Sequence, residues 1–362
     1  MKKLLFILGT RPEAIKLYSP IRKCRENASF LTQVCLTNQH TDLIRPFLEE
    51  FGIDVDFSLP VESSNRSLHH IVAKQIQELE RVLLKADPDL VIVQGDTTSA
   101  FSGALAAHYL KIPVAHVEAG LRTDNLFAPW PEEMHRRLID QLTSYFFVPT
   151  LAAREALLRE EISPKAIWVV GNSSIDALSL LKERIPTRSV NGKRSIVVTI
   201  HRRENHGDIL EGICSALTTV ARSVDDVEIL FFLHPNPSVQ KIVKACLSGV
   251  ENIHLQQPVD HLTFVEFMAQ SAFIITDSGG IQEEGPYLGK PILVVRDTTE
   301  RPEGLEEGTA RLIGTSPDQI VAHCMELLRS PTALASMSKV HHPYGEGNSG
   351  SQIATVLEQV LQ

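Results

Sequence analysis

Short apolar runs alternate with helix-length amphipathic segments along the whole chain. Residues 4–8, 34–36, 90–93, 114–117, 145–148 and 167–170 read as strands, and 13–25, 68–85 and 99–110 between them have helical spacing. Strands that are apolar at successive positions, separated by helices, predict a parallel sheet covered on both faces. A second set of apolar runs follows at 196–199, 228–233, 253–255, 273–276 and 292–295. Between the two sets the polar stretch 182–194 breaks the periodicity and predicts a hinge within 171–194. The pattern therefore predicts an α/β protein of two doubly wound, Rossmann-like domains, 1–170 and 171–349, facing a central cleft. Apolar positions Ile353, Val356, Leu357 and Val360 make the last segment, 350–362, a helix expected to pack back on the first domain.

A chain of 362 residues has room for two cores, since a single core stops growing at about 250 to 300 residues. The composition, 43% hydrophobic and 22% charged, is that of an ordinary globular protein. A net charge of -9 argues against nucleic-acid or anionic-membrane partners, which need a basic field. Any phosphate must then be met by local arginines. The apolar run after Met1-Lys2-Lys3 is too short for a signal peptide, and no stretch approaches the roughly 20 apolar residues of a membrane span. Five scattered cysteines without a C-x-x-C pair fit a reducing cytoplasm. His69-His70 and His341-His342 lie side by side, not at helical ligand spacing, and read as surface residues, so no metal site is expected.

Ligands of open parallel sheets bind outside the carboxyl ends of the strands. After the first strand comes Gly9-Thr10-Arg11-Pro12-Glu13-Ala14-Ile15-Lys16, where Pro12 suits the first helical turn and places Arg11 and Lys16 near its mouth. Later loops carry Asp96, Glu118 and Glu132, then His201-Arg202 and His234. Residues 272–284 read as a buried strand, a turn at Asp277-Ser278-Gly279-Gly280, and a helix beginning at Ile281. Glycines let backbone approach a ligand, and the first-turn N–H groups with the helix dipole suit phosphate. Glu284, one turn in, can take the two hydroxyls of a ribose. A helix simply capped by Asp277 or Ser278 accounts for the same residues. Arg296 and Arg301 after the next strand favour the ligand reading, because guanidiniums bind a diphosphate bidentately. No G-x-G-x-x-G follows a strand and no ATPase-type phosphate loop is present, so the site is expected to be cofactor-free.

These motifs together are highly specific. GTRPEAIK (9–16), QGDTTS (94–99), HVEAGLRT (116–123), PWPEE (129–133), HRREN (201–205), HPNP (234–237), TDSGGIQEE (276–284), GKPILVVRDTTERPE (289–303) and HPYGEG (342–347) span almost the whole chain. The chain resembles the non-hydrolysing UDP-N-acetylglucosamine 2-epimerases, a family with the two-domain GT-B glycosyltransferase fold. The resemblance implies a cytoplasmic homodimer that converts UDP-GlcNAc reversibly to UDP-ManNAc without metal or nicotinamide, supplying cell-surface polysaccharide. It implies Asp96, Glu118 and Glu132 as acid/base residues. His201 with Arg202, Arg11 and Arg301 would hold the diphosphate, alongside Lys16. Ser278, Gly279 and Gly280 would offer backbone amides, Glu284 would bind the ribose, and His234 would lie near the phosphates. In the uracil motif this chain keeps Phe264 but has His261 where the family usually has tyrosine. Many members carry an allosteric UDP-GlcNAc site near 37–43 and an arginine matching Arg66; Asp42 would weaken an anionic ligand there.

The implied reaction is chemically coherent with these residues. The C2 hydrogen of an N-acetyl sugar is not acidic in the resting substrate, so the route left without an oxidant is departure of UDP from C1. That route needs cations and amides for the leaving diphosphate and acid/base groups on both faces of C2. Clustered carboxylates are expected to push one another's pKa values apart, which separates acid from base. Three other readings share the fold. A hydrolysing epimerase releases ManNAc and UDP, but its first loop reads more like G-x-R-x-D than the Pro12-Glu13 found here. A GT-B glycosyltransferase needs one base and an acceptor groove. A non-catalytic nucleotide-sugar sensor would have lost the carboxylates that this chain keeps.

Overall fold

The structure is a computed structural model that describes residues 1–38, 41–60, 67–182, 193–299, 301–340 and 342–362. The chain divides into two compact units, Met1–Ala177 with Tyr344–Gln362, and Leu178–Pro343.

In the first unit the apolar runs form strands β1 (Lys2–Leu8), β2 (Phe30–Leu36), β3 (Phe57–Ser58), β4 (Leu90–Gln94), β5 (Val114–Val117), β6 (Tyr145–Val148) and β7 (Ile167–Val169). They pair in parallel in the order β3-β2-β1-β4-β5-β6-β7. Alternate side chains of β1 serve opposite faces. Leu4, Phe6 and Leu8 pack with Ala14, Leu17 and Ile21 of the helix Arg11–Glu26. Leu5 and Ile7 pack with Leu79 and Leu83 of the helix Leu68–Ala86 and with Ala100 and Ala104 of the helix Thr98–Tyr109. Burial on both faces is why the strand shows no polar alternation.

The chain's last helix, Ser349–Val360, lies on Arg11–Glu26 and contributes Ile353, Ala354 and Leu357 to the same core layer. Its backbone approaches so closely that a Cβ on Gly350 would overlap Ser19. The buried Asp176 carboxylate ties the junction by accepting from Ser349 N (2.9 Å), Gly350 N (2.7 Å) and Ser19 Oγ (2.7 Å). This anchoring draws the start of the helix Ser174–Lys182 into the first unit, so the division falls after Ala177 and Tyr344 onward returns to the first unit.

The second unit repeats the plan with β8 (Arg194–Thr199), β9 (Val227–Phe232), β10 (Ile253–Gln256), β11 (Phe273–Thr276), β12 (Ile292–Val294) and β13 (Ala310–Leu312), all parallel, in the order β10-β9-β8-β11-β12-β13. In each unit the order reverses beside its first strand, between β1 and β4 and between β8 and β11. Helices leave opposite faces there, and a crevice opens at the carboxyl ends. Edge strands β3 and β13, of 2 and 3 residues, are too short to show periodicity and escape the sequence reading. No described helix is long and apolar enough to cross a membrane.

Candidate functional site

The first unit assembles its chemistry at the ends of β1, β4 and β5. Thr10 precedes the helix Arg11–Glu26 in extended conformation, with Pro12 in the first turn. The Glu13 side chain turns back on the loop, its Oε2 accepting from Gly9 N (3.0 Å), Thr10 N (2.8 Å) and Thr10 Oγ1 (2.7 Å). Its Oε1 accepts from Thr97 Oγ1 at 2.7 Å, which joins the β1 loop to the β4 loop. Burial pushes the Glu13 carboxyl up to about 7, against the opposing pull of these hydrogen bonds. Lys16, farther along the same helix, places its Nζ 2.5 Å from Glu118 Oε1. Glu118 follows β5 with φ 68, a left-handed backbone unusual for a residue with a side chain. Its buried carboxylate also accepts from Gln94 Nε2 and, at 3.2 Å, from Asn172 Nδ2.

Asp96 sits in the β4 loop, half-buried, and pairs with Arg136 of the helix Glu132–Leu142. The neighbouring His135 bonds the Asp96 backbone carbonyl through Nδ1 at 3.0 Å; its pKa is lowered chiefly by burial. Glu132 occupies the first turn of that helix, half-buried, directly after Pro131. The next residue, Glu133, is fully buried and structural: it accepts from Thr123 N (3.1 Å) and Arg137 Nε (2.9 Å). Two adjacent carboxylates at a helix start thus have different environments, a distinction the sequence alone leaves open.

In the second unit one buried carboxylate organises the phosphate-suited loops. Asp277, at the end of β11, accepts from His201 N (3.1 Å), Arg202 N (2.9 Å) and Asn205 Nδ2 (2.9 Å), and its carbonyl takes Arg202 Nε at 2.9 Å. The β8 loop is thereby bound to the β11 loop. The His201 ring faces that of His234, centroids 6.2 Å apart and planes inclined by 21°. Burial, reinforced by Arg202 and Arg296, lowers the His201 pKa despite Asp277, and burial with His201 and His206 lowers that of His234. Both rings are therefore held toward the neutral form, and His234 accepts Asn236 N–H at Nδ1 (3.2 Å).

The glycine turn is differently placed than its pattern suggests. Ser278 is the extended N-cap and Gly279 and Gly280 already belong to the helix Gly279–Tyr287, so these glycines present first-turn N–H groups. Glu284, buried on that helix, lies 3.7 Å from His261 Nε2, and Phe264 packs edge-on against Phe232 at 5.0 Å. Arg301 is buried and directs both Nε and an Nη to Glu283 Oε1, each at 2.8 Å. Sequence reading did not single out Gln94, Arg136, Asn172, Asp277's binding role or Glu283, which work by holding other residues. Asn172, just after β7, illustrates why: a lone asparagine carries no motif. Gln39, His40 and Arg66 of the expected allosteric segment lie outside the described residues, as do His341 and most of the polar stretch 182–194. Among the described residues no group of three or more His, Cys, Asp or Glu could hold a metal ion.

A family model described as UDP-N-acetylglucosamine 2-epimerase matches residues 22–358. The chain is 42% identical to the UDP-N-acetylglucosamine 2-epimerase of Salmonella typhimurium over 369 residues, 98% of each chain. It superposes with a TM-score of 0.95 at 40% identity on the UDP-GlcNAc 2-epimerase from Neisseria meningitidis crystallised with UDP-GlcNAc, covering 99% of this chain and 100% of that one. A likeness to the glycosyltransferase of kitacinnamycin, TM-score 0.68 at 13% identity over 100% and 99% of the two chains, concerns the fold alone and is consistent with a GT-B fold.

Proposed function

Since this chain belongs to the UDP-N-acetylglucosamine 2-epimerase family, we propose that it interconverts UDP-GlcNAc and UDP-ManNAc without releasing the sugar. The observation that carries the reading is Glu118: a buried carboxylate at the carboxyl end of β5, one strand beyond the sheet's switch point, held in left-handed backbone and fixed by Lys16, Gln94 and Asn172. Such investment in one side chain suits a group that must meet a reacting atom at fixed distance.

A base removes the C2 proton as the C1–O bond breaks. The C2–H electrons become the C1=C2 bond of 2-acetamidoglucal, and UDP leaves with the C1–O pair. A proton is then delivered to the opposite face of C2 while a diphosphate oxygen adds back to C1. Nothing is consumed, so the reaction runs in both directions. Asp96, Glu118 and Glu132 supply the acid/base groups, and Arg11 and Lys16 stabilise the departing charge. Arg202, neutral His201 and His234, and the amides of Ser278, Gly279 and Gly280 bind the diphosphate. Arg301, oriented by Glu283, joins them, Glu284 takes the ribose hydroxyls, and Phe264 supports the base. The family resemblance also supports a homodimer acting in the cytoplasm to supply ManNAc for surface polysaccharide; light scattering tests the dimer.

Proton NMR of the purified protein with UDP-GlcNAc in deuterium oxide tests the reaction. Appearance of UDP-ManNAc with deuterium at C2 of both sugars is expected. Free ManNAc and UDP would replace this reading with a hydrolysing epimerase.

A further inference from the structure

His116 lies at the heart of the first unit's sheet and has no part in the chemistry above. Its side chain, on β5, is 0% exposed, and both ring nitrogens are engaged. Nε2 lies 2.8 Å from the Gly95 carbonyl oxygen, and Nδ1 lies 2.7 Å from Asp140 Oδ1. A carbonyl oxygen can only accept, so Nε2 carries a proton. Asp140 Oδ2 takes an Arg122 Nη at 2.7 Å and Gly120 N at 3.3 Å, donors that favour an ionised carboxylate. An ionised Asp140 can only accept from Nδ1, so that nitrogen carries a proton too. Arg122 completes the row with two 2.7 Å bonds to Glu160. The charged groups in this row are His116, Asp140, Arg122 and Glu160, with Arg137 3.9 Å from Glu160 at its outer, partly exposed end. A neutral ring would bring one proton to two oxygens that can only accept, leaving one of them facing a bare ring nitrogen.

We propose that His116 is a buried imidazolium that positions the Asp96 and Glu118 loops, an inference that rests on the function proposed above. The Gly95 carbonyl it holds belongs to the peptide that leads into Asp96, and Gly95 sits at φ 67, where its backbone is otherwise unconstrained by a side chain. The Asp140 carboxylate that completes the clamp holds Gly120, two residues beyond Glu118. A Cβ on Gly95 would stand 3.5 Å from Glu118 Oε2, which shows how closely the two loops approach. Asp140 itself lies on the helix Glu132–Leu142, which also brings Arg136 to the Asp96 side chain and His135 to its carbonyl. One ring therefore links the strand ends that bear two acid/base carboxylates to the helix that begins with the third.

The test is nitrogen-15 NMR of the histidine side chains in the intact protein near neutral pH, with His116→Asn identifying the resonances. Two protonated ring nitrogens are expected for His116; one unprotonated nitrogen would overturn the proposed charge. Asparagine can keep the donor toward Asp140 while losing Gly95, and His116→Gln can keep the donor toward Gly95 while losing Asp140. Each is expected to lower kcat on the order of tenfold to a hundredfold, with KM changed much less, because displaced reacting groups impair chemistry more than binding. Turnover within about twofold of wild type in both variants would remove the positioning role. A doubly protonated ring in a wild-type protein that does not epimerise UDP-GlcNAc would overturn the functional reading and leave the buried cation standing.

Discussion

Replacing Glu13 by glutamine removes a titration that weakens the fold as pH approaches neutrality. Burial raises this carboxyl from 4.5 to about 7, opposed by hydrogen bonds from Thr97, Thr10 and Gly9. A folded-state value above the unfolded one means that the folded protein holds the proton more tightly. The resulting stability is fully present below pH 4.5 and is lost as pH rises through about 7. At about 1.4 kcal/mol per pH unit, that window corresponds to about 3 kcal/mol. The Glu13→Gln side chain would be neutral throughout and carry a constant penalty, since its amide nitrogen faces donors on one side. The pH slope is therefore the informative quantity, not the offset. Urea unfolding of both proteins, followed by circular dichroism from about pH 4.5 to about pH 7.5, measures it. Wild-type stability should fall by about 3 kcal/mol relative to the variant across the window. A difference that stays flat, or grows in favour of wild type, would refute the assignment of a raised pKa to Glu13.

Glu118→Gln should cut turnover at least about a hundredfold while leaving UDP binding largely intact, checked by NMR progress curves and calorimetric titration; near-normal turnover would remove Glu118 from the mechanism. Asp277→Ala leaves the His201 and Arg202 amides and Asn205 without their acceptor, so UDP affinity should fall on the order of tenfold or more. Unchanged affinity would show that the β8 loop holds its shape without Asp277. Leu357→Ala, at a 0% exposed position of the last helix, should cost about 2 to 5 kcal/mol by denaturant unfolding. A cost below about 0.5 kcal/mol would mean that this helix does not share the first unit's core. Gly9→Ala would drive a Cβ into Thr37 and Ser99, and a destabilisation of about 1 to 3 kcal/mol is expected from overpacking; a fully stable variant would contradict the tight β1 loop.

The two parallel sheets are legible in the chain, because strands buried on both faces must be apolar at every position, as Leu4 to Leu8 are. Also legible are Arg11, Asp96, Glu118, His201 and Ser278, because the carboxyl ends of such strands are where ligands bind and polar residues there stand out. Which of Glu132 and Glu133 is committed to structure, and that Arg301 is met by Glu283, emerged only from the tertiary structure. So did the clamp of His116, Asp140, Arg122 and Glu160, whose members come from a strand, a helix, a loop and the end of a second helix. The physical reason is one of range. Periodicity and caps are local and are written within a few residues, whereas the partner of a buried charge is chosen by the strand order, and no spacing along the chain records that choice.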